Sequence, residues 1–157
     1  MSRAASGEIA LADETATAQL GAAVGAALAA GEAVCLTGPL GAGKSTLARG
    51  LIRALTRPDE DVPSPTFTLV QFYEGARLAL AHFDLYRLSR ADEAYEIGLD
   101  EALETGAALI EWPERLGQAL PPDRLAIHLA PGESEGARTA RTEGFGVWSG
   151  RDRFDHG

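Results

Sequence analysis

Lys44 is the only lysine in the chain; every other member of its 14 Lys plus Arg is an arginine. It falls in TGPLGAGKST, residues 37–46, where Gly38, Gly43, Lys44 and Ser45 complete a G-x-x-x-x-G-K-[ST] pattern. Such a loop turns its backbone N–H groups inward around phosphate oxygens, and the lysine and hydroxyl finish the cage. A compact ammonium on a flexible stem suits that place better than a planar guanidinium, which accounts for the one departure from arginine. Ala33 to Leu36 is a short apolar run that predicts a buried strand, and Leu47, Leu51 and Leu55 recur at helical spacing. The loop therefore joins a strand to a helix whose first amides and dipole face the phosphates.

A nucleoside triphosphate in such a loop brings Mg²⁺, which takes the loop hydroxyl and a carboxylate from a neighbouring strand. Ser45 supplies the hydroxyl. Two apolar runs end in an acid, Leu78 to Asp84 and Ala107 to Glu111. The second is uninterrupted, as in a strand covered on both faces, whereas the first follows a turn signal and admits His82. Position therefore favours Glu111 as the metal-side acid. Asp84 is then a second acid near the terminal phosphate, holding a metal-bound water or the attacking water. The competing role for either acid is a helix cap or a solvated strand end. Ser64-Pro65-Thr66 lies between the loop and these strands. Thr66 is placed to meet Mg²⁺ or the γ-phosphate and to move after hydrolysis, although a proline turn feeding a strand fits the same residues. His82, His128 and His156 have no ligand spacing, and a single cysteine cannot build a Cys-based metal site.

The elements that must hold these residues follow from the hydrophobic pattern. Glu8 to Leu11 predicts a short strand, and Asp13 an N-cap for a helix running to about Ala30, with Gly31 as its stop. Thr56 to Pro65, with three prolines and three consecutive acids, is a loop. Thr68 to Tyr73 and Arg77 to Phe83 predict an antiparallel hairpin turning at Glu74-Gly75. Helical turns follow at Arg90 to Ile97, Asp100 to Thr105 and Pro113 to Leu120, with strands at Ala107 to Ile110, Leu125 to Leu129 and Ala137 to Thr142. The expected fold class is α/β: one three-layer P-loop NTPase domain over residues 1–148, its mixed sheet combining a parallel core with an antiparallel hairpin and C-terminal strands, and a flexible tail over residues 149–157. Arg49, Arg53 and Arg57 repeat every four residues, as on a solvent face. The acids from Asp92 to Glu104 suit a solvated helical face or a partner-docking surface.

Composition limits the partners. A length of 157 residues with 45% hydrophobic residues supports one domain with a real core. A net charge of −9 argues against a protein that clamps nucleic acid through its own surface. Cys35, alone in the predicted strand, forms no internal disulfide and reads as a small core residue of a reducing compartment. Acids near the N-terminus do not fit a signal peptide, and no apolar run reaches the ~20 residues of a membrane span. The expectation is a soluble cytoplasmic protein.

With the loop, SPTFTLV at 64–70, HFDLYRL at 82–88 and LIEWP at 109–113 all in order, the chain resembles the TsaE family, the small bacterial P-loop ATPases of tRNA threonylcarbamoyladenosine biosynthesis. The resemblance runs from about Ile9 to Arg141. It implies ATP as cofactor, held by the loop from Gly38 through Gly41, Ala42, Gly43, Lys44, Ser45 and Thr46. It further implies Mg²⁺ on Ser45 and Glu111, a switch role for Thr66, a catalytic or metal-side role for Asp84, Trp112 against the nucleotide, and Arg138 near it. The partners implied are a TsaD-type transferase and its TsaB-type companion, which the ATPase cycles without itself transferring the group. Pro39 stands where the family usually has an acid in the loop, and Ser45 where threonine is commoner. The main rival is a small-molecule P-loop kinase, with Arg87, Arg90, Arg138 and Arg141 as candidates for an acceptor-side lid. A GTPase needs an Asn-Lys-x-Asp motif, and a chain with no second lysine has none.

Overall fold

The computed structural model describes residues 5–39, 41–65 and 68–150. Seven strands form one sheet: β1 (Ala5–Leu11), β2 (Ala33–Thr37), β3 (Val70–Glu74), β4 (Ala79–Asp84), β5 (Gly106–Glu111), β6 (Arg124–Pro131) and β7 (Arg138–Phe145). Their spatial order is β1-β7-β6-β2-β5-β4-β3. The four central strands run parallel, and β3, β7 and β1 join antiparallel at the two sides. The helices are α1 (Glu14–Ala27), α2 (Lys44–Leu55), α3 (Glu93–Glu96) and α4 (Leu99–Thr105), with 3₁₀ turns at Pro113–Ala119 and Gly146–Gly150.

The alternation of side chains along each strand sorts the core into two layers. Val34 and Leu36 of β2, Leu80 of β4 and Leu109 of β5 pack under α1 and α2. Ala33 and Cys35, Ala81 and Phe83, and Ala108 and Ile110 face the other way, against Ala94, Leu99 and Leu116. Because β2 is covered on both sides, its sequence reads as a continuous apolar run, as a central parallel strand should. α1 and α2 approach closely through glycine: a Cβ at Gly21 would run into the Leu47 carbonyl, and one at Gly50 into the Ala18 carbonyl.

The elements agree with the sequence pattern in type and order; several boundaries differ, β1, α3, β6 and β7 among them, and three of the differences have visible reasons. α1 starts on Asp13, whose Oδ1 accepts the Ala16 N–H at 2.8 Å, but it ends at Ala27 instead of about Ala30. Leu28 turns extended, and the Arg77 guanidinium takes the carbonyls of Gly25 and Leu28, each at 2.8 Å, so the helix end is closed from outside. Arg77 is consequently a cap and not a strand residue. β3 begins at Val70 because Leu69 has φ 69°, a left-handed conformation outside any strand. The sequence-predicted tail, residues 149–157, begins inside the last 3₁₀ turn (Gly146–Gly150), and residues 151–157 lie outside the described residues.

Candidate nucleotide site

The carboxyl ends of β2, β4 and β5 open on one side of the sheet, and the loop after β2 turns there into α2. Gly38 (φ 148°) and Gly43 (φ 95°) carry backbone conformations that side chains resist, and a Cβ on Gly38 would also crowd the Leu129 carbonyl at 2.5 Å. Gly43 is the N-cap of α2 and offers no side chain to satisfy the first helical amides. In an ordinary helix Ser, Thr or Asp fills that place; left bare, the N–H groups and dipole make a seat for an anion.

That seat opens into a cleft of about 740 Å³, lined by Gly38, Pro39, Lys44 and Ser45 from the loop and by Asp84, Glu111 and Trp112 from the strand ends. Asp84 and Glu111 lie directly opposite each other in the parallel β4–β5 register. Asp84 Oδ1 accepts the Tyr86 N–H at 3.0 Å, and the Asp84 N–H donates to the Leu69 carbonyl at 2.9 Å. Trp112 has φ 60° and ψ 49°, an uncommon conformation for a bulky residue. Its ring lies 4.7 Å from that of Tyr86, and the Lys44 ammonium sits 5.5 Å from the Trp112 centroid.

The remaining sequence candidates fall around this cleft. Ala42 is fully buried beneath the loop and its N–H is taken by the Pro39 carbonyl at 3.1 Å, so in this geometry it braces the turn. Gly41 is held from behind: Arg138 Nη2 donates to its carbonyl at 2.8 Å, and Nη1 donates to Ala137. Arg138, Gly41 and Thr46 do not line the cleft. Thr66 lies outside the described residues, while its neighbours Ser64 and Pro65 line the cleft.

Arg49 and His82 are among the lining residues that the sequence reading missed. Arg49, assigned there to the solvent face, is only partly exposed and lines the cleft. It stands one turn beyond Ser45 on α2, so i,i+4 spacing from the loop hydroxyl was the signal. His82 is 3% exposed and its Nε2 lies at hydrogen-bond distance, 2.7 Å, from Glu111 Oε2. Strand alternation from Asp84 would have put it on the same face. Arg57 falls beyond the end of α2 and pairs with Asp59 at 3.3 Å.

Among the described residues no three His, Cys, Asp or Glu side chains gather to cage a metal unaided. That fits Mg²⁺, which keeps several waters and is held through one or two protein oxygens plus phosphate. Ser45 and Glu111, facing one cleft beside a bare helix start, are donors of the right hardness and number.

Sheet order and loop together place the chain among the α/β P-loop NTPases. The family model for Threonylcarbamoyl adenosine biosynthesis protein TsaE matches residues 11–140, and the chain belongs to the TsaE family. It is similar to tRNA threonylcarbamoyladenosine biosynthesis protein TsaE of Nostoc, 40% identical over 143 residues that cover 88% of this chain and 86% of the relative. The relative of that name in Treponema pallidum is 42% identical over 114 residues, covering 72% and 83%. That in Rickettsia conorii is 40% identical over 96 residues, covering 61% of this chain, and the match spans only 55% of the relative's length. The crystal structure of Bacillus subtilis YdiB superposes with a TM-score of 0.74 at 25% identity, covering 95% of this chain and 92% of that one.

Proposed function

We propose that the chain is an Mg²⁺-dependent ATPase required for threonylcarbamoyladenosine modification of tRNA, and that it cycles a TsaD-type transferase and TsaB-type companion in the cytoplasm without transferring the group itself. The observation that carries this reading is the convergence of Lys44, Ser45, Asp84 and Glu111, from one helix and two strands, on a single cleft. Membership of the family supports the pathway. Among the described residues no helix is long and apolar enough to cross a membrane.

The residues divide the work by chemistry. Lys44 and the first amides of α2 bind the phosphates, with Gly38 and Gly43 allowing the backbone its approach. Ser45 and Glu111 would hold Mg²⁺, which would supply neutralisation of phosphate charge. Asp84 orients a water beside the terminal phosphate, Thr66 is the switch threonine, and Trp112 with Tyr86 walls the cleft. Arg138 acts on the nucleotide through Gly41. The ATPase domain is residues 1–148, with residues 149–157 as its tail.

A kinase would need an arginine lid over an acceptor pocket, yet none of Arg87, Arg90, Arg138 and Arg141 lines the cleft. Arg90 pairs instead with Asp92 at 3.0 Å. ATP loss measured with the chain alone, with candidate small-molecule acceptors, and with the two partner proteins separates the readings. Slow hydrolysis stimulated by the partner pair is expected. Fast turnover driven by a small acceptor overturns the proposal in favour of a kinase.

A further inference from the structure

We propose that His82 is a positioning residue for Glu111, fixing which carboxylate oxygen is left to a divalent cation. The inference rests on the reading of Glu111 as the metal-side acid. Leu80, His82 and Asp84 share one face of β4, and Leu109 and Glu111 the same face of β5. His82 pairs with Leu109 in the register, so it reaches Glu111 on the diagonal, two residues further along the neighbouring strand. An ionised carboxylate only accepts, so the imidazole nitrogen at 2.7 Å from Oε2 carries the proton. That bond ties Oε2 and leaves Oε1 as the oxygen available to Mg²⁺.

A packing role does not account for this residue. His82 is 3% exposed, and among the described residues its Nδ1 is buried with no hydrogen-bond partner. A leucine or phenylalanine would fill the same volume without a nitrogen to satisfy. What the histidine adds is a donor aimed at an acid of the cleft. A ligating carboxylate held by such an outer donor loses less rotational freedom when it binds, and removal of such partners typically costs 10–100-fold in metal affinity.

The test is calorimetric titration of a non-hydrolysable ATP analogue across a Mg²⁺ series, with melting temperatures alongside, for the wild type, His82→Phe and His82→Gln. His82→Phe keeps a ring without a donor; the expected result is a rise of ~10-fold or more in the Mg²⁺ needed for tight nucleotide binding, with Mg²⁺-free affinity unchanged. His82→Gln, whose amide can donate to the same oxygen, should recover part of the loss. In a Glu111→Gln background, His82→Phe should add little, and His82→Gln supplies that comparison if His82→Phe does not fold. A normal Mg²⁺ dependence in folded His82→Phe overturns the inference. So does equal loss in both His82 variants, or full additivity with Glu111→Gln. A wild type whose nucleotide binding ignores Mg²⁺ overturns the parent reading of Glu111, and that failure is visible before any variant is compared.

Discussion

On the proposed reading Lys44 and the two strand-end acids carry different parts of one task, and substitution should separate them. Lys44→Ala is expected to reduce ATP affinity beyond detection by calorimetry, because the chain holds no second ammonium to reach the β- and γ-phosphates. Glu111→Ala should raise the Mg²⁺ requirement for nucleotide binding, whereas Asp84→Ala should mostly slow hydrolysis, by about 100-fold if it positions the water. Equal losses that ignore Mg²⁺ would reject that division. Cys35, on the opposite face of β2, makes a different kind of prediction. Burial pushes its thiol up to about 12, a rise that Arg124 partly opposes. A raised folded-state value favours the neutral thiol in the fold, so its contribution is complete below the unfolded thiol's range. It is lost as pH rises towards 12, at up to about 1.4 kcal/mol per pH unit. Melting curves at about pH 8 and about pH 10.5 should therefore show a smaller alkaline loss in Cys35→Ala than in the wild type.

At the scale of elements, the phosphate loop is only as well placed as the helix that follows it, and α2 is placed by α1. Gly50→Ala would force a methyl against the Ala18 carbonyl. Expected are a stability loss of ~1–3 kcal/mol in denaturant melts and weaker nucleotide binding, since Lys44 and Ser45 open the displaced helix. Unchanged melting would mean that the helices are less closely set. This contact marks where the sequence stops being legible. The apolar run of β2, the Gly-Lys-Ser of the loop and the acids ending β4 and β5 are local patterns, and they pointed to a central strand, a bare helix start and two acids that line the cleft. The end of α1 was not local, because Arg77, far along the chain, closes it. Leu69 interrupts a strand-like run with a left-handed turn whose carbonyl takes the Asp84 N–H. Arg49 failed for another reason: its spacing with Arg53 and Arg57 matched an exposed stripe, yet Arg49 alone of the three lines the cleft, together with Val62, Pro63 and Ser64. His82 was passed over because metal spacing was sought within the sequence, while its partner Glu111 comes from a neighbouring strand.

For the whole molecule, charge sets the partners. With 23 acids against 14 bases, the isolated chain should show no appreciable tRNA retention in filter binding at physiological salt. Tight retention there would require a basic patch and would shift the reading of how the modification machinery recruits its substrate. The position of β2 governs a different property. Its two neighbours, β5 and β6, are both encoded long after it, and the loop it delivers rests against Leu129 of β6. During synthesis the chain therefore emits its phosphate loop early and cannot shape it until β6 has left the ribosome. A nucleotide can therefore rescue no half-made chain by binding it. Until then β2 is an apolar ribbon with both edges bare, the kind of surface that aggregates or engages chaperones. Pairing over such separations is slow to nucleate, so maturation time belongs to the sheet's last central strand and not to the motif that first draws attention.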